Sequence, residues 1–271
     1  MVSGAAGVVT AILAVASMAA TLDAQWPAMQ PAGLPRTADG HIDLAAPPPR
    51  TADGKPDLSG VWEPERDPKG RPGGVEGVVA PRYMIDITID LEPDKVPFTP
   101  WAAALYQQRN ARARIDNPNI RCLPPGVPRL VAYQWPYKIV QNPGLIVVLY
   151  EAGTMFRQIF MDGRQHPKDP EPTWMGYSVG RWEGNELVVD TRGFNDQSWL
   201  DGAGHPHSGQ MRVTERFTRR SVGQMDIAVT IDDPVAYTRP LTYVQPQRLQ
   251  PETELIEYVC ENAKPIGGGA K

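Results

Sequence analysis

Hydrophobic and polar residues alternate with a period of two through much of this chain, the signature of strands with one buried face. From Met84 to Leu91 the alternation sets Ile85, Ile87, Ile89 and Leu91 against Asp86, Thr88 and Asp90, which predicts a half-buried strand. Met211 to Arg219 places Met211, Val213, Glu215 and Phe217 on one face in the same way. Tyr177 to Glu183 and Glu186 to Arg192 flank Gly184-Asn185, a two-residue hairpin connection. Lys138 to Gln141 and Leu145 to Glu151 flank an Asn-Pro-Gly turn, and the run LIVVLY is apolar on both faces, as in a central strand. Leu58 to Trp62, Phe156 to Met161, Met225 to Ile231 and Thr253 to Cys260 complete the predicted strands. One helix interrupts them: Thr99 is an N-cap, Pro100 suits the first helical position, and good helix formers run from Trp101 to about Ile115, before Asn117-Pro118. Short strands, tight turns and one helix near 100–115 predict an all-β fold, an antiparallel barrel or sandwich; the order of elements favours an up-and-down β-barrel.

The start of the chain follows a different pattern. Residues 5–20 are small and apolar, too short for a confident membrane span, and predict a secretory signal peptide over 1–24, cleaved after Ala19 or Ala24. No basic residue precedes the apolar stretch, so a retained anchor and a buried helix stay open as alternatives. A Pro-rich lead over 25–57 contains PRTADGHIDL and PRTADGKPDL, a repeat offset by fourteen residues. Each copy joins an extended Pro-Arg entry to an Asp-Gly turn; the first reads as a duplicated linker and the second as the approach to the first strand. The barrel domain is then expected over 58–262, with a flexible tail over 263–271. Export predicts a periplasmic or secreted protein without stable membrane insertion once the signal is cleaved. It also permits a bridge between the only cysteines, Cys122 and Cys260, although free thiols or a cysteine metal site remain open.

Composition adds little to this picture. A chain of 271 residues with a net charge of -4 and a pI near 5.6 gives no sign of a nucleic-acid partner, which needs a concentrated basic face. Oligomeric state has no signature here.

Several segments carry a resemblance. Gly60-Val61-Trp62 resembles the Gly-x-Trp element of lipocalin-like barrels, in which the Trp plugs one end. Together, DGKPDLSGVW, PTWMGYSVGRWEGNELVVDTRGFND, GHPHS, VTERF and EYVCEN resemble an uncharacterised family of exported bacterial proteins with a lipocalin-like barrel. The resemblance spans most of 50–262, implies that fold and a periplasmic or secreted location, and brings no activity with it.

Candidate chemistry gathers between Met161 and Phe217. Glu215 shares its strand face with apolar neighbours and therefore points inward; a buried carboxylate either becomes a general acid or base or pairs with an interior arginine, Arg181 or Arg157. His205-Pro206-His207 lies in a Gly-rich loop just before that strand, with His207 the better placed for proton transfer and His205, Asp196 and Asp201 nearby in sequence. His166 follows another strand, so His166, His205 and His207 with a carboxylate form a candidate set for a divalent metal, the one cofactor worth considering. Nothing like HExxH, a GxSxG elbow or a phosphate loop is present. Trp174, Tyr177 and Trp199, with Arg164, are candidate contacts for a small organic ligand. Trp182 and Arg181 should face opposite ways. The leading expectation is an exported small-molecule enzyme using acid–base chemistry: elimination by a lyase, isomerisation or hydrolysis. A carrier of a hydrophobic or glycosidic ligand is the alternative, and a structural envelope protein the third reading.

Overall fold

The computed structural model describes residues 33–70, 79–112 and 114–260. The expected signal peptide over 1–24 and the tail over 263–271 lie outside them. No helix among the described residues is long and apolar enough to cross a membrane.

Nine strands close into one barrel in sequence order: β1 (Gly60–Pro64), β2 (Tyr137–Asn142), β3 (Leu145–Tyr150), β4 (Phe156–Phe160), β5 (Tyr177–Glu183), β6 (Glu186–Arg192), β7 (Arg212–Arg219), β8 (Gln224–Asp232) and β9 (Leu241–Leu249). Among the described residues two short α-helices accompany them, α1 (Arg82–Ile85) and α2 (Pro100–Ala111). Alternation builds the core: in β8, Met225, Ile227, Val229 and Ile231 are all buried. Trp62 is fully buried, donates its indole N–H to the Leu58 carbonyl at 2.9 Å, and lies beneath the Arg219 guanidinium, 4.9 Å from the ring centre. Gly60 has φ +132°, and a Cβ there would stand 2.7 Å from Leu249 Cδ1, so the Gly-Val-Trp element requires glycine to seat this tryptophan.

The structure departs from the expected pattern in five places. The barrel is mixed: β4 and β5 run parallel and share only the pairs Ile159 with Ser178 and Phe160 with Val179. The chain after β4 does not reverse into a hairpin. Residues 161–176, with Pro167, Pro170 and Pro172, return along the barrel before β5 begins. The strand expected over Met84–Leu91 is α1 followed by turns, because the Asp86 side chain accepts from the Thr88 N–H at 2.7 Å and bends the backbone; a closed barrel also offers no free edge to pair with. Thr253 to Cys260 forms no strand and makes only an isolated bridge between Ala152 and Tyr258. The ninth strand is Leu241–Leu249, whose inward face of Leu241, Tyr243, Gln245, Gln247 and Leu249 was hidden by its glutamines and Pro246. The helix ends at Ala111 rather than near Ile115, with the Thr99 hydroxyl accepting from the Ala102 N–H at 3.3 Å as its cap.

Both PRTADG copies fold into the same turn, closed by the bridges Arg36 with Ile42 and Arg50 with Pro56, each arginine donating to a glycine carbonyl four residues on. The first copy is more than a linker. The Leu44 and Ala46 carbonyls accept from the Gly223 and Val222 N–H groups at the β7–β8 turn. At the other end of the chain, a disulfide between Cys122 and Cys260 secures the C-terminal segment.

Candidate functional site

Alternation delivers a belt of polar side chains into the barrel. Glu215 on β7 faces Arg157 on β4, not Arg181, which is exposed and paired with Glu183. The pair is bidentate, with Arg157 Nη1 donating to Glu215 Oε1 at 3.0 Å and Nη2 to Oε2. Arg157 also donates to the Ser178 hydroxyl at 3.0 Å and the Thr191 hydroxyl at 2.9 Å. Both charged side chains are all but inaccessible. Burial pulls the Arg157 guanidinium down, but the Glu215 charge and hydrogen bonds outweigh it and hold its pKa above the usual value. Tyr150, beside Arg157, is pushed up to about 12 by burial.

Arg157 and Ser178 of this buried belt lie on the two strands of the parallel seam. A cleft of about 560 Å³ opens there, with Arg157 and Ser178 in its wall beneath Phe156, Phe160, Trp174 and Tyr177. Tight packing fixes the segment carrying these aromatics. Gly176 has φ +65°, and a Cβ on it would stand 2.7 Å from Thr191 Cγ2. Thr173 donates to the Gly193 carbonyl at 3.0 Å and accepts from Asn195 at 2.9 Å. Phe160 and Tyr177 stack at 5.0 Å, and Arg164 lies over Phe160 at 4.0 Å while donating to the Tyr177 hydroxyl at 3.2 Å. Thus Trp174 and Tyr177 line one cleft, while Arg164 packs on Phe160 beside it and lines a neighbouring cleft with His166. Trp199 does not join them; it is buried beneath Arg109, 4.6 Å from the guanidinium.

The histidines part company. His205 Nδ1 donates to Asp201 Oδ2 at 2.6 Å, and its Nε2 lies 3.2 Å from the Thr88 hydroxyl, which itself donates to Asp86 at 2.7 Å. With Nδ1 on the Asp201 carboxylate, Nε2 is left to the Thr88 hydroxyl, so both ring nitrogens have a polar partner. Burial pulls its pKa down, but the Asp201 charge and hydrogen bond prevail and hold it above the ordinary histidine value. Asp201 is pushed up by burial, yet His205 and the backbone N–H groups of Ile87 and His205 keep it below the carboxylate range. Phe98 and Tyr106 pack on the ring at 5.4 and 4.6 Å. The arrangement ties α2 and the Asp86 turn to the Asp201–His205 loop.

His207 is a separate unit. Its Nδ1–H donates to the Ser208 carbonyl at 3.1 Å, leaving Nε2 to accept from the Ser198 hydroxyl at 2.8 Å. Burial holds its pKa below the ordinary value, so it is neutral near pH 7. His166 is elsewhere again, on the outer surface with Nε2 2.8 Å from Asp190, and Asp196 is exposed. Glu215 and His207 share no hydrogen bond. The three histidines form no common metal site: among the described residues, the group of ligand atoms close enough to surround an ion is Asp86, Asp201 and His205. In that group Asp201 already accepts from the backbone N–H groups of Ile87, Gly204 and His205 and from the His205 ring, so its carboxylate and the imidazole are engaged within the fold.

A pH test follows from the signs. The raised His205 pKa contributes stability that is full below 6.5 and lost as pH rises through the folded-state value. The lowered Asp201 pKa contributes stability that is present above 3.8 and lost as pH falls through the folded-state value. Asp201→Asn is expected to cost about 2 kcal/mol. The melting-temperature gap to the native chain should be widest between pH 4 and 6.5 and narrow on either side. A gap constant from pH 3 to 9 would contradict the ion pair.

Sequence reasoning named Arg157 only as a partner for Glu215, and missed Ser178, Thr191 and Ser198. The alternation of Phe156–Phe160, which turns Arg157 and Ile159 inward, was the signal for the first. No motif marked the others. Set against known proteins, the chain matches no family model, no curated protein and no solved structure.

Proposed function

We propose that this protein binds a small, mainly apolar organic molecule in the cleft at the β4–β5 seam. The observation that carries the reading is that Arg157 and Ser178, members of the buried polar belt, form part of an aromatic cleft of about 560 Å³. That volume and mixture of a mostly apolar wall with a few fixed polar groups suit a small-molecule site. The two-pair seam is the weakest junction of the barrel and the natural place for ligand entry. A lipocalin-like carrier is the closest description, supported by the Gly60-Val61-Trp62 element and the closed barrel. Export to the periplasm or beyond is supported by the apolar stretch at 5–20 and the disulfide.

The neutral fluorophore N-phenyl-1-naphthylamine tests this. Its emission should rise on titration with the protein, and Trp174→Ala should weaken binding about tenfold, the equivalent of roughly 1.4 kcal/mol of lost ring contact. Absence of binding, or equal binding by Trp174→Ala, would sink the proposal. An acid–base enzyme is the second reading, favoured by the hydrogen bond from Ser198 to neutral His207. Under that reading, the native chain turns over a substrate and His207→Ala does not, with ligand affinity retained.

A further inference from the structure

The hydrogen-bond ladder of the seam stops beside the cleft and leaves a gap there. Bonds between β3 and β4 fall at alternate residues, and two of them set the phase: Tyr150 donates to the Met155 carbonyl at 2.8 Å and Met161 to the Gly144 carbonyl at 3.0 Å. Met155, Arg157 and Ile159 therefore direct their backbone groups to β3, while Phe156, Gln158 and Phe160 turn theirs to the seam. The pairs Ile159 with Ser178 and Phe160 with Val179 engage the Gln158 carbonyl and both groups of Phe160. The N–H and carbonyl of Phe156 and the N–H of Gln158 meet no partner among the described residues. Carried further, the register would set Gly176 opposite Arg157. Gly176 instead has φ +65°, which ends the strand, and Thr173 bonds to Gly193 and Asn195, so the segment follows the end of β6 and leaves β4. The vacated place is one residue long, too short to be an edge for a further strand. It opens into the cleft of about 560 Å³, which Phe156 and Gln158 line from one side and Thr173 to Ser178 from the other.

A residue in regular parallel pairing at that place donates its N–H to the Phe156 carbonyl and accepts from the Gln158 N–H with its own carbonyl. The two groups stand on either side of one Cα. A hydroxyl offers both functions at a single atom and cannot span them. Neither group asks for charge, and Arg157 below them is already neutralised by Glu215. The rest of the wall, Met155, Phe156, Trp174, Met175 and Tyr177, offers apolar and aromatic contact.

Resting on the seam cleft as the binding site, we infer that its ligand is an acylated amino acid or short apolar peptide, lying along β4 with one residue's N–H and carbonyl in the gap. Its apolar part packs on the aromatic wall. The ligand thereby makes the ladder contacts that Gly176 leaves unmade.

Displacement of N-phenyl-1-naphthylamine by two compounds of one shape tests the inference: N-(2-naphthoyl)glycinamide, and the ester in which oxygen replaces its naphthoyl-linked N–H. The amide should displace the probe at roughly threefold to tenfold lower concentration than the ester, the effect of one hydrogen bond to the Phe156 carbonyl. Gln158→Pro deletes the other contact, and its N–H takes no part in the β3–β4 ladder. That variant should bind the amide threefold to tenfold more weakly while still binding the probe. Equal displacement by amide and ester on the native chain would overturn the inference while leaving the seam reading intact, as would unchanged amide affinity in a Gln158→Pro chain that binds the probe. Failure of the probe to bind the native chain would overturn the seam reading and this inference with it.

Discussion

Glu215→Leu is expected to lower the free energy of unfolding by about 3–5 kcal/mol, because it strands the Arg157 guanidinium in the barrel without a counterion. Arg157→Met should do the same from the other side, leaving the carboxylate alone. Both partners are buried to 2% exposure or less, so solvent cannot screen the survivor. The double variant Arg157→Met/Glu215→Leu should recover most of the loss, since two apolar side chains of similar volume replace a pair whose desolvation offsets much of its attraction. Urea unfolding of the three variants provides the measurement, with the coupling read as a double-mutant cycle. Additive losses would mean that the two side chains do not act as a pair.

Removing the disulfide should have an effect of comparable size. Cys122 and Cys260 are 138 residues apart in sequence, and a closed loop of that length reduces unfolded-state freedom by about 5 kcal/mol in the chain-entropy model. Cys122→Ala/Cys260→Ala should therefore shift the urea midpoint down sharply. The C-terminal segment has other attachments, including Ile256 donating to Glu151 at 3.2 Å and Tyr258 stacking on Trp135 at 4.7 Å. They are few. If the double variant lost less than about 1 kcal/mol, the bridge would be incidental to the constraint on the unfolded chain.

The barrel was legible because alternation is a local property, and most strands announce it. β9 was missed because its inward positions are filled by Tyr243, Gln245 and Gln247, polar residues that period-2 reading assigns to solvent. Met84–Leu91 misled in the opposite sense: its alternation is clean, but Asp86 caps a turn and no sheet edge exists to receive a strand. Strand direction cannot be read from alternation at all, so the parallel seam, and with it the position of the cleft, was invisible.

The site was legible in pieces. An inward Glu215 follows from its neighbours, and the aromatic segment around Trp174 lies in the cleft. The histidines misled because closeness in sequence suggested a shared task. His205 and His207 are two residues apart, yet one is held by the Asp201 carboxylate and the other by the Ser198 hydroxyl. Partners decide the protonation state of each, and those partners come from distant parts of the chain.

The most direct test of the seam as a binding site is a crystal structure of the protein with N-phenyl-1-naphthylamine. The account predicts ligand density between Trp174 and Tyr177, above the Arg157 guanidinium. Density confined to the outer surface around His166 and Arg192, with the space between β4 and β5 unchanged, would contradict it.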